Sequence, residues 1–211
     1  MAIYPEWVTT NTQPVDAAGP TTAETDDETT DAAAIDDVSI VEGPDSEPIQ
    51  IVDSPVPAPT GWNDPLTGTD GPHYWDRLVI SEAARVRRYK RPTTVVFVEI
   101  AGLAPLGQLW GPDVAERTLI SAARTLSQSL RTSDHIARIE PIRFAILLTE
   151  TAEIAAINFV ERARTSCERD LRVASEVVGV AFGWASPPAS WDLADAIALA
   201  TKRLETELQT I

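Results

Sequence analysis

Acidic and basic side chains are distributed very unevenly along this chain of 211 residues. Residues 1–60 contain 13 Asp and Glu side chains, no Lys or Arg, and 8 of the 16 prolines. Such a segment cannot bury enough apolar surface to offset the entropy lost on ordering. We therefore expect a disordered, acidic, Pro-rich region over residues 1–60 and one folded domain over residues 61–211, which is long enough for a full core.

The composition also argues against several classes of protein. The net charge is −15, but residues 61–211 hold 19 acidic and 17 basic side chains, so no basic surface for nucleic acid is expected. The only cysteine, Cys167, excludes an intrachain disulfide, and two histidines argue against a zinc site. No apolar run approaches ~18 residues, and the N-terminus is not typical of a secretory signal. We expect a cytoplasmic protein without a membrane span.

Hydrophobic periodicity predicts the order helix, strand, helix, two-stranded hairpin, helix, strand, helix. The predicted helices cover residues 73–90, 113–130, 151–170 and 190–209, and the predicted strands cover residues 93–100, 135–139, 142–149 and 176–185. Glu140-Pro141 is the expected hairpin turn, and Ser190 is the expected cap of the last helix. This order indicates an α+β domain with a mostly antiparallel sheet.

Three short apolar runs interrupt the acidic region, at residues 3–8, 38–42 and 49–52. They are either chance hydrophobes or short linear motifs that become ordered on a protein partner. Residues 53–61 are rich in Pro, Ser, Thr and Gly and are predicted to be the linker to the domain. A protein partner would then be held by the acidic region together with the domain surface.

Several motifs of the folded part resemble those of the GGDEF diguanylate cyclase domain. Asp64-Pro-Leu-Thr-Gly68 is similar to the opening motif of that family, and Ala181-Phe-Gly183 resembles one of its strands. The resemblance covers residues 64–203. It implies a central, mostly antiparallel, five-stranded sheet flanked by helices, and a bacterial signalling context that involves cyclic di-GMP.

The signature of that family is altered in this chain. Its five positions hold Glu140, Pro141, Ile142, Arg143 and Phe144. An active cyclase needs two acidic ligands for Mg²⁺, and the resemblance places the first at Glu99 and the second at Ile142, which cannot bind a metal. We therefore assign no catalytic residue, no metal ligand and no cofactor, and we expect a pseudo-enzyme. One hypothesis is that Arg143 replaces the metal as a fixed cation paired with Glu99.

Positions that would bind the substrate are also altered. The base-contacting asparagine of the family falls on Gly107, and the next base-contacting acid falls on Glu116. Lys202 matches a lysine that contacts substrate phosphate, whereas an arginine one turn later falls on Thr206. Together these changes make a residual cyclase the least favoured interpretation.

Arg131-Thr-Ser-Asp134 lies five residues before the signature, and this spacing matches the family's inhibitory R-x-x-D site for cyclic di-GMP. The resemblance adds Arg162 as a further ligand contact, with Arg164 as a less favoured substitute. A guanidinium can donate two parallel hydrogen bonds to guanine or to phosphate, and a carboxylate can accept from guanine. The alternative is structural, because an arginine at a helix end often pairs with an acid three residues later.

Two functions therefore stay open beside the residual cyclase. In the first, a catalytically inactive domain is a cyclic di-GMP receptor through Arg131, Asp134 and Arg162. In the second, a ligand-independent pseudo-enzyme is a scaffold for protein–protein interaction. A homodimer is compatible with both.

Overall fold

The computed structural model describes residues 54–172, 177–188 and 190–211. The predicted disorder of the acidic region and its three apolar runs lie outside the described residues, apart from residues 54–60. Those seven residues belong to the predicted linker. Val56 and Pro59 among them are buried, so packing begins ahead of residue 61.

Five helices and four strands make up the described part of the chain. They are α1 (Pro72–Tyr89), β1 (Thr93–Ala101), α2 (Leu103–Trp110), α3 (Pro112–Gln128), β2 (His135–Glu140), β3 (Arg143–Thr149), α4 (Glu153–Arg172), β4 (Gly179–Ala185) and α5 (Leu193–Leu208). Every predicted element is present, and α2 is an additional one. The hairpin turn falls on Pro141-Ile142, one residue later than expected.

The four strands form one sheet in the order β2-β3-β1-β4, and each neighbouring pair is antiparallel. The α+β class with an antiparallel sheet is therefore confirmed. The count of five strands was wrong for the described residues, which contain four. It was implied by the resemblance alone, since the sequence contains only four strand-like runs. Pro187 and Pro188, directly after β4, also lack the N–H groups that would extend a ladder.

Side chains of each strand alternate between two buried faces. On one face, Val96, Val98 and Ile100 of β1 join a cluster with residues of α2, α3 and α4. On the other face, Val95 and Phe97 join a cluster with residues of α1 and α5. This two-residue period explains why β1 reads as a continuous apolar run, because both faces of the sheet are covered by helices.

Helix α5 lies unusually close to β4 at Gly183. A Cβ atom there would be 2.1 Å from the carbonyl oxygen of Ala200 and 2.4 Å from the amide nitrogen of Leu204. Only glycine permits this approach of helix backbone to strand.

The N-terminus of α5 is capped by Asp192. The sequence predicts Ser190 as the cap, and this prediction was wrong. Asp192 Oδ1 accepts a hydrogen bond from the Ala194 amide at 3.0 Å. Ser190 Oγ instead lies 3.1 Å from Asp195 Oδ2. Ser190 lies too far ahead of α5, which begins at Leu193, to satisfy its first amides.

A buried ion pair joins the opening motif to the hairpin. Arg138 Nη2 donates to Asp64 Oδ1 at 2.7 Å, and both side chains are 1% exposed. Arg138 Nη1 donates to the carbonyl oxygens of Pro57 and Pro141, each at 3.0 Å. The second oxygen of Asp64 accepts from the amide and the hydroxyl of Thr67. One guanidinium therefore holds three segments of the chain together.

We expect the Asp64 carboxylate to make stability depend on pH. Burial alone would raise the pKa of Asp64, but hydrogen bonds from Arg138 and Thr67 outweigh it and lower the pKa below its usual value. A lowered folded-state pKa stabilises the fold above the unfolded pKa of about 4, and this stability is lost as the pH falls further. Asp64→Asn should cost about 3–5 kcal/mol at pH 7, because it leaves Arg138 buried without a counter-charge.

Urea unfolding of the full chain between pH 7 and pH 3 measures this effect. The difference between wild type and Asp64→Asn should shrink as the pH falls. Asp113→Asn, at an exposed position in the first turn of α3, is the matched control and should change stability little. A difference that stays constant over this range would contradict the assignment.

Candidate functional site

Arg143 and Glu99 face one another at the end of the sheet beside the hairpin turn, as register partners on β3 and β1. The Nε and Nη2 atoms of Arg143 donate to Glu99 Oε2 at 2.9 and 2.7 Å. Nη1 donates to Glu140 Oε1 at 2.8 Å. The side chains of Arg143 and Glu99 are 22% and 14% exposed, so this contact is largely shielded from water. The hypothesised pairing is present, although both bonds to Glu99 fall on one oxygen.

The remaining signature residues do not offer metal ligands. Ile142 packs against the core, and its backbone carbonyl accepts from the Ile100 amide at 3.0 Å. Within residues 54–172, 177–188 and 190–211, no three His, Cys, Asp or Glu side chains come together as a metal site. The chemistry available at this end of the sheet is a guanidinium already held by two carboxylates.

Arg131, Asp134 and Arg162 line one cavity of about 230 Å³, together with residues from the start of α4. Asn158 and Phe159 of α4 also line it and were not predicted. Both residues precede Arg162 on the same helix, by four and three positions. This spacing places them on the same helix face as Arg162, and it could have identified them from the sequence. The structure therefore brings the three predicted ligand contacts together.

The carboxylate of Asp134 accepts hydrogen bonds from the backbone around it. Its Oδ2 accepts from the Arg131 amide at 3.0 Å, and its Oδ1 accepts from the Thr149 amide at 3.3 Å. The expected structural pairing between the Arg131 guanidinium and Asp134 is absent. In the described part of the chain, neither Arg131 nor Arg162 forms an ion pair, and both are exposed. Two cationic groups at the cavity are thus available to an anion.

The structure does not place Arg164 at this cavity. Its guanidinium donates to Glu207, with Nη2 at 3.1 Å from Oε2, and lies 4.9 Å from the centre of the Phe182 ring. Arg164 is therefore a structural contact between α4 and α5, and Arg162 is the better candidate of the two.

The predicted substrate positions are dispersed. Lys202 and Thr206 are exposed on α5 and line a cavity of about 510 Å³ with Phe182 and Trp184. Gly107 lies on α2 and packs against Pro55. The altered signature and the Arg131 cavity lie at opposite ends of β3. Since that strand has seven residues of ~3.4 Å each, the two sites are roughly 20 Å apart.

Comparison with known families decides the identity of the fold. The family described as "Diguanylate cyclase, GGDEF domain" matches residues 62–210. The chain belongs to the GGDEF domain family. The resemblance read from Asp64-Pro-Leu-Thr-Gly68 is thereby confirmed.

Two proteins of Escherichia coli are similar to part of the chain. The probable diguanylate cyclase DgcC of Escherichia coli is 28% identical over 99 residues, which cover 47% of this chain and 27% of that protein. The probable diguanylate cyclase DgcT of the same species is 26% identical over 106 residues, and these residues cover 23% of that protein. The chain thus spans about a quarter of the length of these curated relatives.

Solved structures of GGDEF domains share the fold. The diguanylate cyclase SiaD of Pseudomonas aeruginosa, in complex with its activator SiaC, has a TM-score of 0.63 and 24% identity over 70% of this chain and 58% of that one. The GGDEF domain of DgcB from Caulobacter crescentus, in complex with c-di-GMP, has a TM-score of 0.65 and 13% identity over 72% of this chain and 92% of that one. In the described part of this chain, no helix combines the length and apolar character needed to cross a bilayer.

We expect Arg143 to stabilise the GGDEF domain through its two carboxylate partners. Arg143→Ala should lower the free energy of unfolding by about 1–3 kcal/mol, because it leaves partly buried Glu99 without its cation. Arg91→Ala is the matched control, since Arg91 pairs with Glu150 at 2.7 Å but both side chains are more than half exposed. Thermal and urea unfolding of both variants measure the difference. Equal stability of Arg143→Ala and wild type would contradict the prediction.

Proposed function

We propose that this GGDEF domain does not synthesise cyclic di-GMP and instead binds it at the cavity of Arg131, Asp134 and Arg162. The observation that carries the proposal is the convergence of these three side chains on one cavity. The structure of the DgcB domain with c-di-GMP supports the choice of ligand class by family analogy. In this proposal, the ligand site of the domain lies apart from its altered signature.

The chemistry of the cavity suits a guanine nucleotide. Arg131 and Arg162 can donate to guanine acceptors or to phosphate oxygens. Each carboxylate oxygen of Asp134 accepts one backbone hydrogen bond, and a carboxylate has about four lone-pair sites, so acceptor capacity remains for guanine N–H groups. The cavity volume of about 230 Å³ is below the ~300–1,000 Å³ typical of whole-ligand sites, so it would hold one base or phosphate and leave the rest at the surface.

The signature end of the sheet supports the loss of synthesis. Phosphoryl transfer in this family depends on metal ions that neutralise charge in the transition state. Here Glu99 is paired with Arg143, and Ile142 packs against the core. Glu99 could bind a divalent cation only if Arg143 moved away.

A ligand-independent scaffold is the second candidate. Two apolar side chains at the end of α2, Leu109 and Trp110, are 68% and 69% exposed. An exposed pair of this kind favours a protein contact. The backbone hydrogen bonds of Asp134 also give that residue a structural role that needs no ligand. The structure of SiaD in complex with its protein activator is consistent with such contacts in the family.

Binding at Arg131 is tested by isothermal titration of cyclic di-GMP into the full chain. We expect wild type to bind at micromolar concentration or tighter. Arg131→Ala should weaken binding by about 10- to 100-fold, because charge-assisted hydrogen bonds contribute about 1.5–3 kcal/mol. Arg124→Ala is the matched control, since Arg124 is exposed on α3 and does not line the cavity. Absence of binding by wild type would leave the scaffold as the function.

Synthesis is tested separately by incubating the full chain with GTP and either Mg²⁺ or Mn²⁺. We expect no cyclic di-GMP, because the second metal ligand is replaced by Ile142. An active diguanylate cyclase is the positive control. Product formed by the wild-type chain above the rate of a protein-free blank would contradict the proposal and restore the residual cyclase.

A further inference from the structure

Residues 54–59, which we name the strap, pack against α2 and α3 ahead of the opening motif. Val56 is 1% exposed and belongs to the same buried cluster as Leu103 and Leu106 of α2 and Leu119 of α3. Its neighbours Pro57 and Ala58 are exposed. The strap is therefore anchored by two buried side chains, Val56 and Pro59.

Gly107 on α2 makes room for the strap. A Cβ atom at this position would lie 2.8 Å from Pro55 Cβ, 3.2 Å from Pro55 Cγ and 3.5 Å from Ala115 Cβ. The two closest atoms belong to a proline ring, which cannot rotate aside as a flexible side chain could. Any side chain at residue 107 would therefore compete with the strap for this space.

A hydrogen bond to the backbone fixes the middle of the strap. The Pro57 carbonyl accepts from Arg138 Nη1 at 3.0 Å. Prolines at positions 55, 57 and 59 restrict the backbone before it docks, and this reduces the entropy lost on docking. The strap thus has the features of a bound proline-containing peptide, with two buried apolar side chains, a restricted backbone and one carbonyl held by an arginine.

We propose that the groove formed by α2 and α3 at Gly107 is a binding site for a short, proline-containing apolar peptide, and that the chain's own strap is its resident ligand. Gly107 is also one of the two positions where the family resemblance places base recognition. The strap closes this groove to other occupants. This inference goes beyond the proposed function, which concerns the separate cavity at Arg131.

Within the described part of the chain, none of the strap's contacts belongs to the hydrogen-bond ladder of the sheet, so the strap can exchange while the four strands stay paired. Local openings of this kind require less free energy than global unfolding. Opening exposes the apolar groove around Gly107. The groove should then accept the same peptide supplied in solution.

Peptide binding tests the site in the full chain. A fluorescein-labelled peptide of residues 54–60 is titrated into wild type, Val56→Asp and Ala58→Asp, with fluorescence anisotropy as the readout. Val56→Asp disables the resident strap, whereas Ala58→Asp adds the same charge at an exposed position. We expect the peptide to bind Val56→Asp at least ~10-fold more tightly than wild type or Ala58→Asp. In the latter two chains the tethered strap outcompetes a free peptide. A labelled peptide that itself carries Val56→Asp should not bind.

Thiol labelling provides a second test that does not depend on the folding of Val56→Asp. The native Cys167 is fully buried, and its pKa is raised to about 12 by burial and by nearby Asp170 and Glu168, so it remains silent. In the full chain, Val56→Cys should react with a maleimide at least ~10-fold more slowly than Ala58→Cys, because reaction requires opening of the strap.

Each outcome bears on the proposal. Equal labelling rates at positions 56 and 58 would overturn it, since the strap would not be docked. Peptide binding to wild type as tight as to Val56→Asp would also overturn it, because the groove would be vacant. No peptide binding to a folded Val56→Asp chain would exclude an exchangeable site. Protection of Val56→Cys that rises with protein concentration would show that the strap of a second copy fills the groove, and would overturn the intramolecular assignment.

Discussion

The buried guanidinium of Arg138 is the contact on which the arrangement of the domain depends. It binds Asp64 of the opening motif, the carbonyl of Pro57 in the strap and the carbonyl of Pro141 in the hairpin turn. A buried charge is costly unless it is paired, so the opening motif and the hairpin must be positioned together. The position of the hairpin, and with it the altered signature, thus depends on a residue that takes no part in ligand chemistry.

Two arginines on the hairpin perform different tasks because of their surroundings. Arg138 is fully buried and is satisfied mainly by backbone and one carboxylate, whereas Arg143 lies at the partly exposed edge between Glu99 and Glu140. The cations at the other end of β3, Arg131 and Arg162, have no such partners in the described residues and face a cavity. Charge that is already paired stabilises the fold, and charge that is unpaired at a cavity is available for a ligand.

Much of this fold could be predicted from periodicity, because strands covered on both faces and amphipathic helices leave strong patterns. Helix α2 was missed because Gly102, Pro105 and Gly107 are typical of loops. Pro105 is tolerated as the third residue of the helix, where its missing N–H would have had no intrahelical partner.

The strap was interpreted as a linker because its composition is that of a linker, and only the fold shows that Val56 is buried. The convergence of Arg131, Asp134 and Arg162 was anticipated from the family resemblance, whereas the backbone bonds of Asp134 depend on turn geometry that residue spacing does not specify.

The ion triad of Glu99, Arg143 and Glu140 limits which substitutions this end of the sheet can accept. An acid in place of Arg143 would bring three carboxylates together in a partly buried space, without the cation that now separates them. Repulsion would then act between β1, β3 and the hairpin turn, unless a bound cation took the place of the guanidinium. Arg143 is therefore a built-in counter-ion, and the domain needs none from solution at this position.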